Sequence, residues 1–235
     1  MGLNDTHAPP FDCMEHDTPC RGIGGKRMIG VAFSKSLDGP WERMAAPLLG
    51  ANPAGPPNCD VHDVSNPVVA FMPNGSVIMA FKGEGKSAGC TSGVIGLATA
   101  PHWRGPYTRA RSTAEGSGPQ RLGARACEDP YIWFDQPGGV YRMLSHACKP
   151  LPVGGHLWSK NGLDWTEAWT DNVTWGYDAT VPLEGGGERT FARRERPQVL
   201  LDAAGNLQCL YNAAQPCAGT WGEKCHSYTI AQCAA

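Results

Sequence analysis

Three proline triplets set carboxylates and amides at a regular interval: Ser65-Asn66-Pro67, Glu128-Asp129-Pro130 and Glu195-Arg196-Pro197. Their prolines lie 63 and 67 residues apart. The second and third copies carry acids, and carboxyls brought to one place can do general acid and base chemistry. Like charges held together raise one pKa, so one carboxyl keeps a proton to give while another stays ionised. The spacing predicts that Asn66, Asp129 and Glu195 take equivalent places at the mouth of one shared axis. Glu195 is then the proton donor and Asp129 the charge that perturbs it. Arg194 and Arg196 alternate with Glu195, so on a strand they should point away from it.

The elements that must position these residues are also repeated. Each triplet is followed by an apolar run, a turn built from Gly, Pro or Asn, and a second apolar run, as in Val68–Gly83, Tyr131–Ala147 and Gln198–Ala214. A second motif fills the gaps. Ile29-Gly-Val-Ala-Phe-Ser runs into Asp38-Gly39-Pro40-Trp41, and Ile95-Gly-Leu-Ala-Thr-Ala runs into Arg104-Gly105-Pro106-Tyr107. A weaker copy spans Gly155 to Trp165. Each reads as a short alternating strand, a turn, and an aromatic that begins another strand. Two strands of each kind make a four-stranded antiparallel unit of about 65 residues, the make-up of a propeller blade. A β-sandwich is the alternative, but it has no need of Gly-Pro-aromatic at one offset in successive units. In order, the chain gives an outer half-blade, two full units and a last inner half with a final strand near Ser227–Gln232. The sum is roughly three and a half blades, where closed propellers have at least four. The expectation is one all-β domain over 1–235, a propeller that is incomplete, either as a fragment or because its start is misplaced.

These motifs resemble those of the five-bladed β-propeller glycoside hydrolases, family 43 and its eukaryotic relatives, from Ile29 to about Asn212. The resemblance implies three carboxylates on one axis: a base from the first blade, a tuning acid and a general acid. Asp129 matches the tuning acid, and Glu195, in Arg194-Glu195-Arg196-Pro197, matches the general acid. The base has no counterpart and would have preceded residue 1. Asp60 and Asp63 are the nearest carboxylates, and Asp63 is the stand-in base. Glycosidic cleavage needs one protonated and one ionised carboxyl, so the chemistry of the residues agrees with the resemblance. The implied substrate is an oligo- or polysaccharide bearing arabinofuranosyl or xylosyl side chains, cleaved with inversion. A carbohydrate-binding propeller without catalysis is the competing class. A sialidase-like propeller is a third, prompted by Ser159-Lys-Asn-Gly-Leu-Asp-Trp165, which looks like a degraded Asp-box turn.

Other residues are candidates to meet a sugar. Asn66 shares the triplet position, and Trp133, Tyr131 and Trp158 could stack on the apolar face of a sugar ring. His146 and Asn212 end inner-strand pairs in successive units and could bond hydroxyls. Trp41, Tyr107 and Trp165 fall on the repeat and are expected to pack blades. No cofactor is expected. Some relatives hold calcium in the channel, and His62 and His226 are the loose candidates for it here.

Composition narrows the classes further. With 30 glycines, 20 prolines and 18% charged residues among 235, the chain suits short strands and many turns. A net charge of -2 and the lack of a basic run argue against nucleic acid as a partner. No apolar stretch reaches the roughly 18 residues of a membrane span, so no membrane partner is expected. Ten cysteines without C-x-x-C spacing point to disulfides and a secreted protein; pairs such as Cys13 with Cys20 and Cys217 with Cys225 could close short loops, the connectivity being left open by the sequence. Sequons at Asn4, Asn74 and Asn172 agree with secretion, although residues 1–10 do not read as a signal peptide. A monomer is expected.

Overall fold

The computed structural model describes residues 27–52, 60, 62–84, 94–110, 126–147, 153–167, 176–217 and 226–234. Among them the regular structure is all strand. β1 (Ala32–Phe33) and β2 (Glu42–Arg43) pair with each other. β3 (Asp63–Phe71), β4 (Val77–Glu84), β5 (Val94–Ala100) and β6 (Thr108–Arg109) form an antiparallel sheet in chain order. β7 (Ala126–Asp135), β8 (Val140–Ala147), β9 (Gly154–Ser159) and β10 (Thr166–Glu167) repeat that sheet. A short hairpin, β11 (Thr180–Pro182) and β12 (Glu188–Thr190), follows. β13 (Arg193–Leu201), β14 (Leu207–Gln215) and β15 (Tyr228–Cys233) form a three-stranded sheet. Two strands from each kind of sequence motif therefore combine as the repeat predicts, and the strand expected near Ser227–Gln232 is β15.

Burial explains why these runs are strands. β4 is apolar on both faces, and alternate residues serve different neighbours. Ile78 and Ala80 join Ile95, Leu97, Ile132, Met143 and Leu157 between the two four-stranded sheets. Met79 and Phe81 face the other way, toward Ile29, Leu49 and Val64. Sheets stacked through such two-sided strands leave their first strands side by side. β7 accordingly lies between β3 and β13.

Pro67, Pro130 and Pro197 sit inside their strands. In each case the ladder skips a register: between Ser65 and Val68, between Glu128 and Tyr131, and between Glu195 and Gln198. A proline has no N–H to give the ladder, and a bulge is where none is required. The residue before each proline has a positive φ: 49° at Asn66, 52° at Asp129 and 53° at Arg196. This shared geometry turns three side chains together, and the site is built on it.

Two aromatics of the outer motif behave as expected and one does not. Tyr107 and Trp165 pack against the cores. Trp41 is 58% exposed, because its two-stranded hairpin has no further strand, among the described residues, to lay over it. Beside that hairpin an apolar groove of about 410 Å³ runs along β3, and Phe71 on its wall is 60% exposed.

A disulfide joins Cys209 to Cys233 and pins β15 to β14. The expected pairs Cys13–Cys20 and Cys217–Cys225 each include a cysteine outside the described residues, as do Asn4 and Asn172 among the sequons. Asn74 is a turn residue whose Oδ1 accepts from the backbone N–H and hydroxyl of Ser76. No described helix is long and apolar enough to cross a membrane.

Candidate active site

Asn66, Asp129 and Arg196 come from three different sheets and meet. The Asn66 amide donates to Asp129 Oδ1, and Arg196 Nη1 lies 3.6 Å from the same oxygen. On a plain strand Arg196 would point to the opposite side from Glu195. The positive φ and the bulge cancel that alternation, so Arg196, expected to face away, reaches the axis. The members of the repeat that are equivalent are thus Asn66, Asp129 and Arg196. Glu195 is equivalent instead to Glu128 and Ser65, two residues before each proline.

That reassignment separates two glutamates. Glu128 stands opposite His146 across the strand pair, and its Oε1 lies 3.2 Å from His146 Nδ1. Lys82 Nζ donates to its other oxygen at 2.5 Å. The His146 hydrogen bond, helped by Lys82 and outweighing burial, holds the Glu128 carboxyl at a pKa of about 2. Glu195 stands opposite Ala213, which can offer it nothing. Among the described residues no cation pairs with the Glu195 carboxylate.

Tyr177 lies beneath this cluster. Burial first, then the charges of Asp129 and Glu195, push its hydroxyl well above the ordinary tyrosine range. Its ring lies 4.9 Å under the guanidinium carbon of Arg194. The ring has room only because residue 154 is glycine; a Cβ there would stand 2.2 Å from it. Arg194 is 1% exposed. Its Nε donates to Asn212 Oδ1 at 3.0 Å, its Nη1 to the Asp178 carbonyl at 2.6 Å, and its Nη2 to Gln232 on β15.

Several candidate residues lie elsewhere or do something else. Asn212 is 1% exposed and has both ends engaged, by Arg194 and by the Glu195 carbonyl at 3.3 Å, so it supports the site from behind and does not face a ligand. It is also one residue out of step with His146, whose true counterparts are Lys82 and Ala213. Asp63 accepts from the Arg27 backbone N–H at 2.6 Å and its guanidinium at 3.2 Å. These bonds outweigh burial and hold Asp63 below the usual carboxylate range. Asp60 is buried against Arg109 at 2.5 Å. Trp133 lines a cleft of about 290 Å³ between β7–β9 and β14, four residues and roughly 13 Å along the strand from Asp129. Trp158 is on β9, two strands out from β7, and the Tyr131 hydroxyl donates to the Val199 carbonyl on β13 at 3.3 Å.

The axis also bears on the calcium expectation. His62 and His226 are both exposed and outside the cluster. Glu128, Asp129 and His146 do place ligand atoms within 4.8 Å of one another. Lys82 already supplies the positive charge there, at 2.5 Å from Glu128, so these residues as arranged do not fit a cation. The Ser159–Trp165 turn closes on itself: the Ser159 hydroxyl and the Asn161 amide oxygen accept the N–H groups of residues 161–164, and Trp165 Nε1 donates to the Gly162 carbonyl at 2.9 Å.

Solved structures resemble this fold. A glycosyl hydrolase from Bacteroides ovatus superposes with a TM-score of 0.53 at 14% identity, over 80% of this chain and 52% of its own. A family 117 glycoside hydrolase of the marine bacterium Zobellia galactanivorans gives 0.54 at 15% identity, over 86% and 50%. An exo-β-1,3-galactanase from Phanerochaete chrysosporium gives 0.53 at 15%, over 88% and 43%. The fold is that of the propeller glycoside hydrolases. The chain spans about half the length of these structures. No family model matches the sequence, and no curated protein does.

One consequence concerns acid. Glu128 has its pKa lowered from 4.5 to about 2, so its ion pairs stabilise the fold fully above pH 4.5 and are lost as pH falls through 2. Glu128→Gln should therefore cost about 1–2 kcal/mol at pH 6, a value reduced for solvent screening of a partly exposed group. Urea midpoints of the two proteins should converge between pH 4.5 and 2. A gap independent of pH would assign the loss to packing.

Proposed function

We propose that this chain is a glycoside-hydrolase propeller unit acting on arabinofuranosyl or xylosyl side chains of a polysaccharide, with Glu195 giving the proton to the leaving oxygen. One observation carries the choice of donor. Of the two glutamates set two residues before these prolines, Glu128 is held as an anion by Lys82 and His146, while Glu195 stands opposite Ala213 and makes no ion pair among the described residues. Asp129, held by Asn66 and lying 3.6 Å from Arg196, stands beside it as the second carboxylate of the site. Asn66 orients Asp129 and can also bond a sugar hydroxyl. The displacement inverts the anomeric carbon, with a water entering between carboxyls about 6.5–9.5 Å apart.

Activation of that water is the role left open. Asp63 is the stand-in by sequence, but Arg27 holds both of its oxygens. This supports a chain that positions and protonates its substrate yet hydrolyses it poorly unaided. The same observation favours, as the second reading, a propeller that binds carbohydrate without turning it over. Turnover of aryl arabinofuranosides and xylosides, with and without an added nucleophile, separates the two. We further propose that the protein is secreted and monomeric; the Cys209–Cys233 disulfide supports an oxidising compartment.

A further inference from the structure

Arg196 occupies a backbone position that its residue type does not favour. A positive φ costs a residue other than glycine roughly 1–2 kcal/mol, and asparagine or aspartate, as at 66 and 129, tolerate it best. A following proline adds to the restriction. Strain of this kind, held by a surrounding bulge, collects where a side chain must be aimed. Here it aims a guanidinium at the mouth of the axis, one residue from Glu195.

The guanidinium is not used up by the protein. Its side chain is 63% exposed, and 3.6 Å from Nη1 to Asp129 Oδ1 is an attraction across a gap, beyond hydrogen-bond length. That oxygen already accepts from Asn66. Among the described residues no acceptor takes a hydrogen bond from Arg196. A fork of five donors on the solvent side of the site matches a planar carboxylate or a sulfate better than a lone hydroxyl. Arg196 lies on the solvent side of the cluster, so the anionic group would be held at the rim and the scissile bond kept inside.

We propose that Arg196 selects saccharides carrying an anionic group, a uronic acid carboxylate or a sulfate ester, next to the residue that the site engages. The inference rests on the carbohydrate reading above. Its test is calorimetric titration of the whole 235-residue chain in about 150 mM salt, where unspecific surface attraction is screened. The probes are xylotriose, xylotriose with a glucuronic acid branch, and sulfated xylotriose. Wild type should bind one of the anionic sugars at least about tenfold more tightly than xylotriose, the worth of a charge-assisted bond pair, and which one wins tells carboxylate from sulfate. Arg196→Asn, the residue the first copy carries, relieves the backbone and should bring the affinities within about threefold of one another, a ratio worth under one hydrogen bond. Arg196→Lys, a charge without the fork, should fall between. Wild-type binding without an anionic preference, or a preference that survives Arg196→Asn, overturns the inference and leaves the carbohydrate reading standing. Failure to bind any of the three sugars overturns both.

Discussion

Azide should switch on the cleavage of aryl arabinofuranosides or xylosides by this chain, and Glu195→Gln should switch it off. The reasoning is a division of labour. Hydrolysis needs a proton for the leaving oxygen and a base to make water a nucleophile. Azide is already an anion and needs no base. It attacks the anomeric carbon, the bond to the phenolic oxygen breaks, and the Glu195 proton ends on that oxygen, giving a glycosyl azide and a phenol. With a poor leaving group such as phenol, the donor contributes about 10²–10⁴-fold, so Glu195→Gln should lower azide-dependent turnover by that factor. A nitrophenol leaves with less help, and its cleavage should fall far less. Fast hydrolysis without azide that survives Asp63→Asn would show a base elsewhere. Azide turnover untouched by Glu195→Gln would take the donor role from Glu195.

Arg194→Met should be the most damaging single change to stability. The side chain is buried, and three acceptors on separate elements depend on it: Asn212 on β14, the Asp178 carbonyl before β11, and Gln232 on β15. Methionine fills much of the volume but leaves those acceptors dry. Hydrogen bonds to a charged group are worth about 1.5–3 kcal/mol each, so after the gain from burying an apolar side chain the net loss should be about 3–5 kcal/mol. Urea unfolding of both proteins at pH 7 measures it. Because the Asn212 amide also holds the Glu195 carbonyl, the variant should lose azide-dependent turnover even where it remains folded. A loss below about 1 kcal/mol would mean that water replaces the guanidinium, as it does at exposed sites.

Much of this architecture could be read from spacing. The 63- and 67-residue intervals located β3, β7 and β13, and the Gly-Pro-aromatic motif located the outer strands, because both follow from the alternation and turn chemistry of a sheet. The site was read less well, for one physical reason. Strand alternation assigns faces only while the ladder is regular, and each triplet contains a bulge with a positive φ. Spacing alone therefore matches Glu195 with Asn66 and Asp129, whereas its register counterpart is Glu128, and it does not show that Arg196 lies toward Asp129. The clue was available: Glu128 and Glu195 both stand two residues before proline. The same one-residue slip paired Asn212 with His146. Lys82 had a signal too, since it lies opposite the first triplet as His146 lies opposite the second. Tyr177 had none, because it belongs to no repeat and enters through the space left by Gly154.

The central proposal is that ligand and chemistry meet at the cluster of Asn66, Asp129 and Arg196, with Glu195 as the proton donor. A crystal structure of the Glu195→Gln chain with a xylo- or arabino-oligosaccharide measures this directly. The expected result is a sugar ring against Asn66 and Asp129, with the glycosidic oxygen within about 3 Å of the residue 195 side chain. A ring seated in the Trp133 cleft, or in the apolar groove beside Phe71, with residue 195 in solvent, would contradict it.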